Sequence, residues 1–177
     1  MLIVDSQVHM WGANTPERPW PKRGEPQRAT SLGNDELLES MGAAGVDHCV
    51  IVPPMWEGDR NDLAIAAAQA HPERFAIMAR LDPEAPESRG KLASWRSQPG
   101  MKGLRFSFTA PVLQPLLTEG RMDWIWDEAE RADVPIYVLV KPSDVPLIDA
   151  VAAKHPGLRL VMDQGRQQIS HTTERSS

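Results

Sequence analysis

The stretch LIVDSQVHMWG, residues 2–12, decides between the folds open to this chain. Three apolar residues lead into alternating polar and apolar positions, a pattern typical of a β-strand. Successive side chains of a strand point to opposite faces, so Asp5, Gln7 and His9 are predicted to lie on one side. Polar groups at three inward positions are costly in a dry core. We therefore expect them to face a wet pocket, although hydrogen bonds to neighbouring backbone would also satisfy them.

The loop after this strand has no glycine-rich turn of the kind that binds phosphate. It covers residues 10–33 and reads MWGANTPERPWPKRGEPQRATSLG, which is rich in proline. An open doubly wound sheet normally carries a glycine-rich turn after its first strand. A TIM-type barrel instead builds its active face from the loops that follow its strands. The loop therefore favours a barrel.

Short runs rich in Val, Ile, Leu and Phe recur along the chain, and most of the intervals between them hold a helix-like segment. The runs cover residues 2–9, 46–52, 74–80, 101–108, 135–141 and 158–163. This alternation is typical of βαβ units in a parallel sheet. A complete barrel has eight strands, so the sequence predicts an α/β fold that is a partial (β/α)8 TIM-type barrel with about six parallel strands, lacking the last two units. We expect residues 1–166 to form this barrel portion and the polar residues 167–177 to form a disordered tail.

The composition points to a small-molecule ligand. The formal net charge is -5 at pH 7, and Lys and Arg residues are scattered along the chain without a basic run, so the basic stripe of a nucleic-acid-binding protein is missing. The first apolar run is too short for a signal peptide or a membrane span. Cys49 is the single cysteine and lies in an apolar stretch, as expected in a reducing compartment. We expect a cytoplasmic protein with no nucleic-acid or membrane partner.

Among the five histidines, only His9 is predicted at the carboxyl end of a strand, where ligands bind in α/β folds. His71 and His155 lie in His-Pro turns that enter strands, and His48 lies near the start of the second strand. These three are expected at the opposite end of the sheet. His171 belongs to the polar tail.

Five segments, in this order, resemble the amidohydrolase-related TIM-barrel hydrolases of the amidohydrolase 2 type. More narrowly, they resemble the branch that includes the pyrone dicarboxylate lactonases. The segments are DSQVHMWG (5–12), AAGVDHCVIVPP (43–54), HPERFAIMARLDP (71–83), GMKGLRFSF (100–108) and HPGLRLVMDQG (155–165). The resemblance implies a barrel whose strand ends carry a hydrolytic site.

The chain departs from the metal-binding pattern of that family. In the family the first strand carries His-x-His, whereas here Gln7 takes the first position and His9 keeps the second. Asp163 matches the family's aspartate on strand six, but Gln164 stands in place of the histidine, and Lys141 stands where metal-dependent members carry a histidine on strand five. Catalytic zinc usually needs three ligands drawn from His, Asp, Glu or Cys. We therefore expect no cofactor; a divalent metal such as zinc, if bound, would have His9 as its ligand.

The resemblance also places Arg105, on strand four, close to the ligand. Its planar guanidinium suits a substrate carboxylate, while the alternative is a surface salt bridge. His9 is expected to polarise the scissile carbonyl, and Lys141 to add a second positive group. Aromatic residues on the loops either line a pocket for a flat substrate or pack beneath the loop. The catalytic candidates are His9, Gln7 and Asp163, and the substrate-binding candidates are Arg105, Lys141, Gln164, Trp11 and Trp56.

These residues predict a hydrolase of a small carboxylated lactone, ester or amide that works without a conventional metal centre. The resemblance implies an aspartate base on strand eight, beyond the six predicted strands. Two alternatives stay open: a truncated or degenerate barrel fragment without catalysis, and a related decarboxylase, which would need the metal ligands that this chain lacks. Exposed edge strands also predict a homo-oligomer.

Overall fold

The computed structural model describes residues 1–163 except Lys22, Ala110 and Val112. Its strands are β1 (Val4–Val8), β2 (His48–Ile51), β3 (Phe75–Ala79), β4 (Met101–Ser107), β5 (Ile136–Leu139) and β6 (Leu160–Met162). Its helices are α1 (Asn34–Ala44), α2 (Asp62–Ala70), α3 (Gln114–Thr118), α4 (Asp123–Arg131) and α5 (Val145–Lys154). Short 3-10 helices cover Met55–Glu57, Pro86–Ser88, Lys91–Ser97 and Pro142–Asp144. The predicted tail, residues 167–177, lies outside the described residues.

The six strands form one parallel sheet in the order β1-β2-β3-β4-β5-β6. In a (β/α) barrel each strand pairs with the next strand in the sequence, whereas in a doubly wound sheet the strand order reverses at a switch point. The fold is therefore a partial TIM barrel with six strands, as the sequence predicts.

The main core lies between the sheet and its helices. Alternate residues of the central strands are buried on this side, and they pack against the apolar side chains of α1, α2, α4 and α5. From the sheet these are Cys49, Ile51, Phe75, Ile77, Leu104, Phe106, Ile136 and Val138, and from the helices they include Leu37, Met41, Ala67, Ile125, Ala129 and Ile148. Toward the carboxyl ends of β1, β4 and β6 the chain also carries polar side chains, among them Gln7, Arg105 and Asp163.

The predicted strict alternation of β1 does not hold. β1 pairs with β2 through Val4 and Asp5, but the register shifts before Val8, which pairs with Ile51. Asp5 is in register with the core residue Cys49, is exposed, and accepts a hydrogen bond from the backbone N–H of Gln7 at 3.0 Å. The irregularity therefore separates Asp5 from Gln7 and His9, because one extra residue changes the face on which a side chain lies.

Candidate active site

The most buried ion pair at the carboxyl ends of the strands joins β4 to the end of β6. Arg105 Nε and Nη2 donate to Asp163 Oδ2 at 3.2 and 3.0 Å, and the two side chains are 6% and 11% exposed. A surface salt bridge, the alternative for Arg105, is therefore wrong. Because the pair is shielded from water, each charge depends on the other for compensation.

Gln7 completes this cluster from β1. With its amide oriented so that the nitrogen faces the carboxylate, Gln7 Nε2 donates to Asp163 Oδ1 and Oδ2 at 2.7 and 3.0 Å. The neutral side chain that replaces the family's first histidine thus holds a carboxylate. Gln7, Arg105 and Asp163 were all candidates from the sequence, and the structure brings them together across three strands.

His9, just beyond β1, is held by two neighbours. Its Nδ1 lies 2.6 Å from the carbonyl oxygen of Val52, and its ring meets the Trp56 ring edge-on with centroids 5.8 Å apart. A carbonyl oxygen only accepts hydrogen bonds, so Nδ1 carries a proton.

The protonation state of His9 follows from its surroundings. Burial lowers the pKa of His9, and the positive charges of Arg105 and Arg80 lower it further, against opposing effects of the Val52 hydrogen bond and of Asp163. At neutral pH the imidazole is therefore neutral, with an unprotonated Nε2. Such a ring accepts a proton, which suits a base better than the carbonyl-polarising donor expected from the sequence.

The candidate tryptophans divide between two roles. Trp11 is 2% exposed, donates from Nε1 to the Thr30 carbonyl at 2.9 Å, and packs edge-on against Trp56 at 5.4 Å. It therefore packs beneath the long first loop. Trp56 lies between Trp11 and His9 and positions the imidazole.

A salt-bridge cluster around the buried Glu57 carboxylate fixes this first loop onto the segment after β2. Glu57 accepts from Arg18 Nε and Nη2 at 2.7 and 2.9 Å and from the Gly12 N–H at 2.8 Å. Arg18 also binds the Asp62 carboxylate at 2.7 Å. Glu57 directly follows Trp56, so we name these four residues, Gly12, Arg18, Glu57 and Asp62, the loop clamp.

The sequence reasoning missed Arg80, which directly follows β3. Its side chain is buried, its Nε donates to the Pro53 carbonyl, and its backbone N–H and C=O are both bonded to the Asn61 side chain at 2.8 Å. Burial, followed by the charge of Arg105, lowers the pKa of Arg80 to about 9. The strand-end criterion applied to histidines would have found it, since Arg80 ends the apolar run FAIMA.

Arg80 and Arg105 share a cavity of about 110 Å³ at the ends of β3 and β4. Its wall also contains Ser107, and side chains from the segments after β2, β3 and β4 close it; these include Met55, Asp59, Asp82, Glu84, Phe108 and Leu116. His9 is not part of this wall but lies close enough for both guanidinium charges to act on it.

Lys141 does not join the arginine cluster through any hydrogen bond in the described part of the chain. Its Nζ lies 3.4 Å from Gln114 Oε1, and Gln114 in turn donates to Asp144 at 3.0 Å. Gln164 lies outside the described residues.

The donor set at the strand ends does not fit a zinc ion. Among the described residues no three His, Cys, Asp or Glu side chains gather as metal ligands. Asp163 is bound by Arg105 and Gln7, and two guanidinium charges face the same region. A dication here would meet positive charge rather than the anionic or neutral ligands it needs.

No helix within the described ranges is long and apolar enough to cross a membrane.

Comparison with known proteins agrees with this architecture. The L-fucono-1,5-lactonase of Burkholderia ambifaria is 26% identical over 170 residues, covering 90% of this chain and 55% of the lactonase. A probable 2-pyrone-4,6-dicarboxylic acid hydrolase from Acinetobacter baumannii superposes with a TM-score of 0.72 at 15% identity, over 93% of this chain and 58% of that one. A zinc-bound amidohydrolase from Burkholderia multivorans gives 0.70 at 22% identity, over 92% and 57%. The chain thus spans little more than half the length of these relatives.

A family model described as amidohydrolase matches residues 4–165, which is nearly the whole described chain. The chain therefore belongs to the amidohydrolase family.

Proposed function

We propose that this protein hydrolyses a small lactone or related ester that carries a carboxylate, with His9 as the base and without a catalytic metal. The observation that carries the proposal is an imidazole held through Nδ1 by the Val52 carbonyl, at the same strand ends as a paired guanidinium, Arg105, and one unpaired among the described residues, Arg80. The similarity to L-fucono-1,5-lactonase supports a lactone as the reacting group. A neutral, water-accessible base and fixed cationic donors are what ester hydrolysis requires.

In the proposed reaction His9 Nε2 removes a proton from water while the water oxygen adds to the lactone carbonyl carbon. The carbonyl electrons move onto oxygen, where the Arg105 guanidinium stabilises the negative charge. Collapse of this intermediate re-forms the carbonyl and breaks the ring C–O bond. The proton on His9 then passes to the departing alkoxide, which restores the neutral imidazole.

Arg105 has one free nitrogen for this task. Its Nε and Nη2 are engaged by Asp163, and Nη1 has no acceptor among the residues that the structure describes. Asp163, itself held by Gln7, therefore fixes the direction of the guanidinium before substrate arrives. Such preorganised donors avoid reorganisation during the reaction and are worth about 3–4 kcal/mol when one is removed.

A panel of five- and six-membered lactones, with and without a carboxyl substituent, tests the proposal in the presence of EDTA. We expect hydrolysis of the carboxylated lactones to survive chelation and to fall at least about 100-fold in His9→Gln. His71→Gln is the matched control, because His71 lies before β3 at the opposite end of the sheet. Loss of activity on chelation, or equal rates in both variants, would contradict the proposal. Anion binding without any turnover would instead favour the non-catalytic alternative.

A further inference from the structure

Arg80 is a buried guanidinium in the cavity wall without an ion-pair partner among the described residues. Arg105 is paired with Asp163, whereas Arg80 has no carboxylate within ion-pair distance among the described residues. Asp59 is the acidic side chain whose charge acts on Arg80, and Asp59 is itself paired with Arg23 at 2.9 Å. Burying an unpaired guanidinium destabilises the folded protein, so a buried arginine without a partner carboxylate needs an explanation.

Arg80 is nevertheless held firmly in place. The Asn61 side chain fixes its backbone through two hydrogen bonds of 2.8 Å, and the Pro53 carbonyl fixes Nε. The two terminal nitrogens, Nη1 and Nη2, have no acceptor in the part of the chain that the structure describes. The guanidinium therefore presents the end that binds a planar carboxylate through two parallel hydrogen bonds.

The cavity has the size of a subsite rather than of a whole ligand site. Sites for complete small molecules usually enclose about 300–1,000 Å³, whereas this cavity has about 110 Å³. Such a space has the size of one anionic arm of a ligand rather than of the whole molecule.

We infer that Arg80 is the carboxylate-binding residue of this site, holding the substrate's carboxylate end-on while Arg105 stays paired with Asp163. This reassigns the role that the sequence gave to Arg105, and it deepens the proposed function on which it rests. The substrate class becomes a lactone whose carboxylate is separated from the reacting carbonyl, because Arg80 and His9 lie on different strand ends.

Binding of benzoate to the 177-residue protein tests this inference without requiring turnover. Benzamide serves as the neutral ligand of the same shape, and inorganic phosphate as the non-planar anion. We expect benzoate to bind at least about 10-fold more tightly than benzamide, since a charge-assisted bidentate pair is lost in the amide. We also expect it to shift the NMR signal of the Arg80 Nε–H.

Three variants complete the test. Arg80→Met should weaken benzoate binding about 10-fold or more, and Arg80→Lys should recover part of it, because lysine keeps the charge but not the planar fork. Arg131→Met removes the same charge from the exposed surface of α4 and should leave binding unchanged. If Arg80→Met does not fold, Arg80→Lys and the wild-type NMR shift still decide the question.

The inference fails if benzamide binds as tightly as benzoate, if phosphate binds more tightly than benzoate, or if Arg80→Lys binds benzoate as well as wild type does. Benzoate binding through Arg80 without lactone hydrolysis would overturn the proposed reaction and leave the carboxylate site intact. Hydrolysis that is unaffected by Arg80 substitutions would overturn the carboxylate site at Arg80 and leave the proposed reaction intact.

Discussion

At the residue scale, Arg105 and Asp163 depend on each other more than on any other charge near them. Removing one partner of a buried pair leaves the other uncompensated, which typically costs about 3–5 kcal/mol, far more than the pair itself contributes. A role in substrate binding and a role in folding are therefore mixed in any single substitution of Arg105. The two roles separate only when both partners are changed.

We expect Arg105→Met to reduce the free energy of unfolding by about 3 kcal/mol, because Asp163 would remain nearly buried without a cation. The double variant Arg105→Met with Asp163→Asn should lose less than the sum of the two single variants. Urea denaturation measures each value. Arg96→Met, in a pair exposed by 47% and 65%, is the control and should cost under about 1 kcal/mol. A cost below 1 kcal/mol for Arg105→Met would mean that Asp163 finds another partner.

His9 makes stability depend on pH in a defined direction. Its pKa is lowered from 6.5 in the folded protein, so between 6.5 and the folded value the unfolded chain binds more protons. The free energy of unfolding should therefore fall as pH drops from 6.5 toward the folded pKa, and this contribution should be fully present above 6.5. Urea denaturation at pH 7.5 and 5.5 should show a smaller loss in His9→Gln than in wild type, with His71→Gln behaving like wild type. An NMR titration midpoint for His9 above 6.5 would reverse the sign and contradict this account.

At the scale of elements, local periodicity in the sequence is enough to predict the strands and the fold class. The six apolar runs correspond to six strands, and the missing glycine-rich turn distinguishes a barrel from a doubly wound sheet. The irregular register of β1 could not be read in this way, because it depends on hydrogen bonds to β2, more than 40 residues away. Strict alternation therefore placed Asp5 with His9 incorrectly.

The candidate site shows the same division. Gln7, Arg105 and Asp163 could be proposed together because each lies at a strand end, and parallel strand ends meet at one edge. The packing of Trp11 beneath the loop could not be distinguished from a pocket wall by residue type alone. The loop clamp joins residues that are 39 to 45 positions apart, and no short motif indicates it.

The loop clamp, Gly12, Arg18, Glu57 and Asp62, is expected to hold the first loop in place. Arg18→Met would leave Glu57, whose side chain is 2% exposed, with only the Gly12 N–H as a partner among these contacts. We expect a loss of about 3 kcal/mol in unfolding free energy and faster hydrogen exchange between Gly12 and Leu32. Because Trp56 adjoins Glu57 and contacts His9, the NMR signal of the His9 ring should also move.

The matched control for the clamp is Arg23→Met in the same loop. Arg23 pairs with Asp59, and these side chains are 43% and 32% exposed, so its removal should cost under about 1 kcal/mol. It should leave hydrogen exchange near Gly12 unchanged. Equal exchange rates in the Arg18 and Arg23 variants would show that the loop is held by its packed tryptophans instead of its charges.

At the scale of the whole molecule, the sheet has two outer strands in the described part of the chain. β1 and β6 each pair on one side only, and apolar residues on both are exposed, including Val4 at 50% and Val161 at 43%. Unpaired backbone groups beside apolar side chains favour pairing with another chain. The sequence predicts a homo-oligomer, and the outer edges of β1 and β6 are the surfaces on which this prediction can be tested.

Light scattering over a range of concentrations should show a mass above 19.6 kDa that rises with concentration. Val161→Lys should lower this mass, because a charge on an edge strand opposes strand addition. Val145→Lys introduces the same side chain at an exposed apolar position of α5, outside the strands, and should leave the mass unchanged. A wild-type mass that stays at 19.6 kDa at every concentration would contradict self-association. If both lysine variants lower the mass equally, the copies associate through exposed apolar side chains in general. Pairing along the edge strand would be affected by the lysine at position 161 and not by the one at position 145.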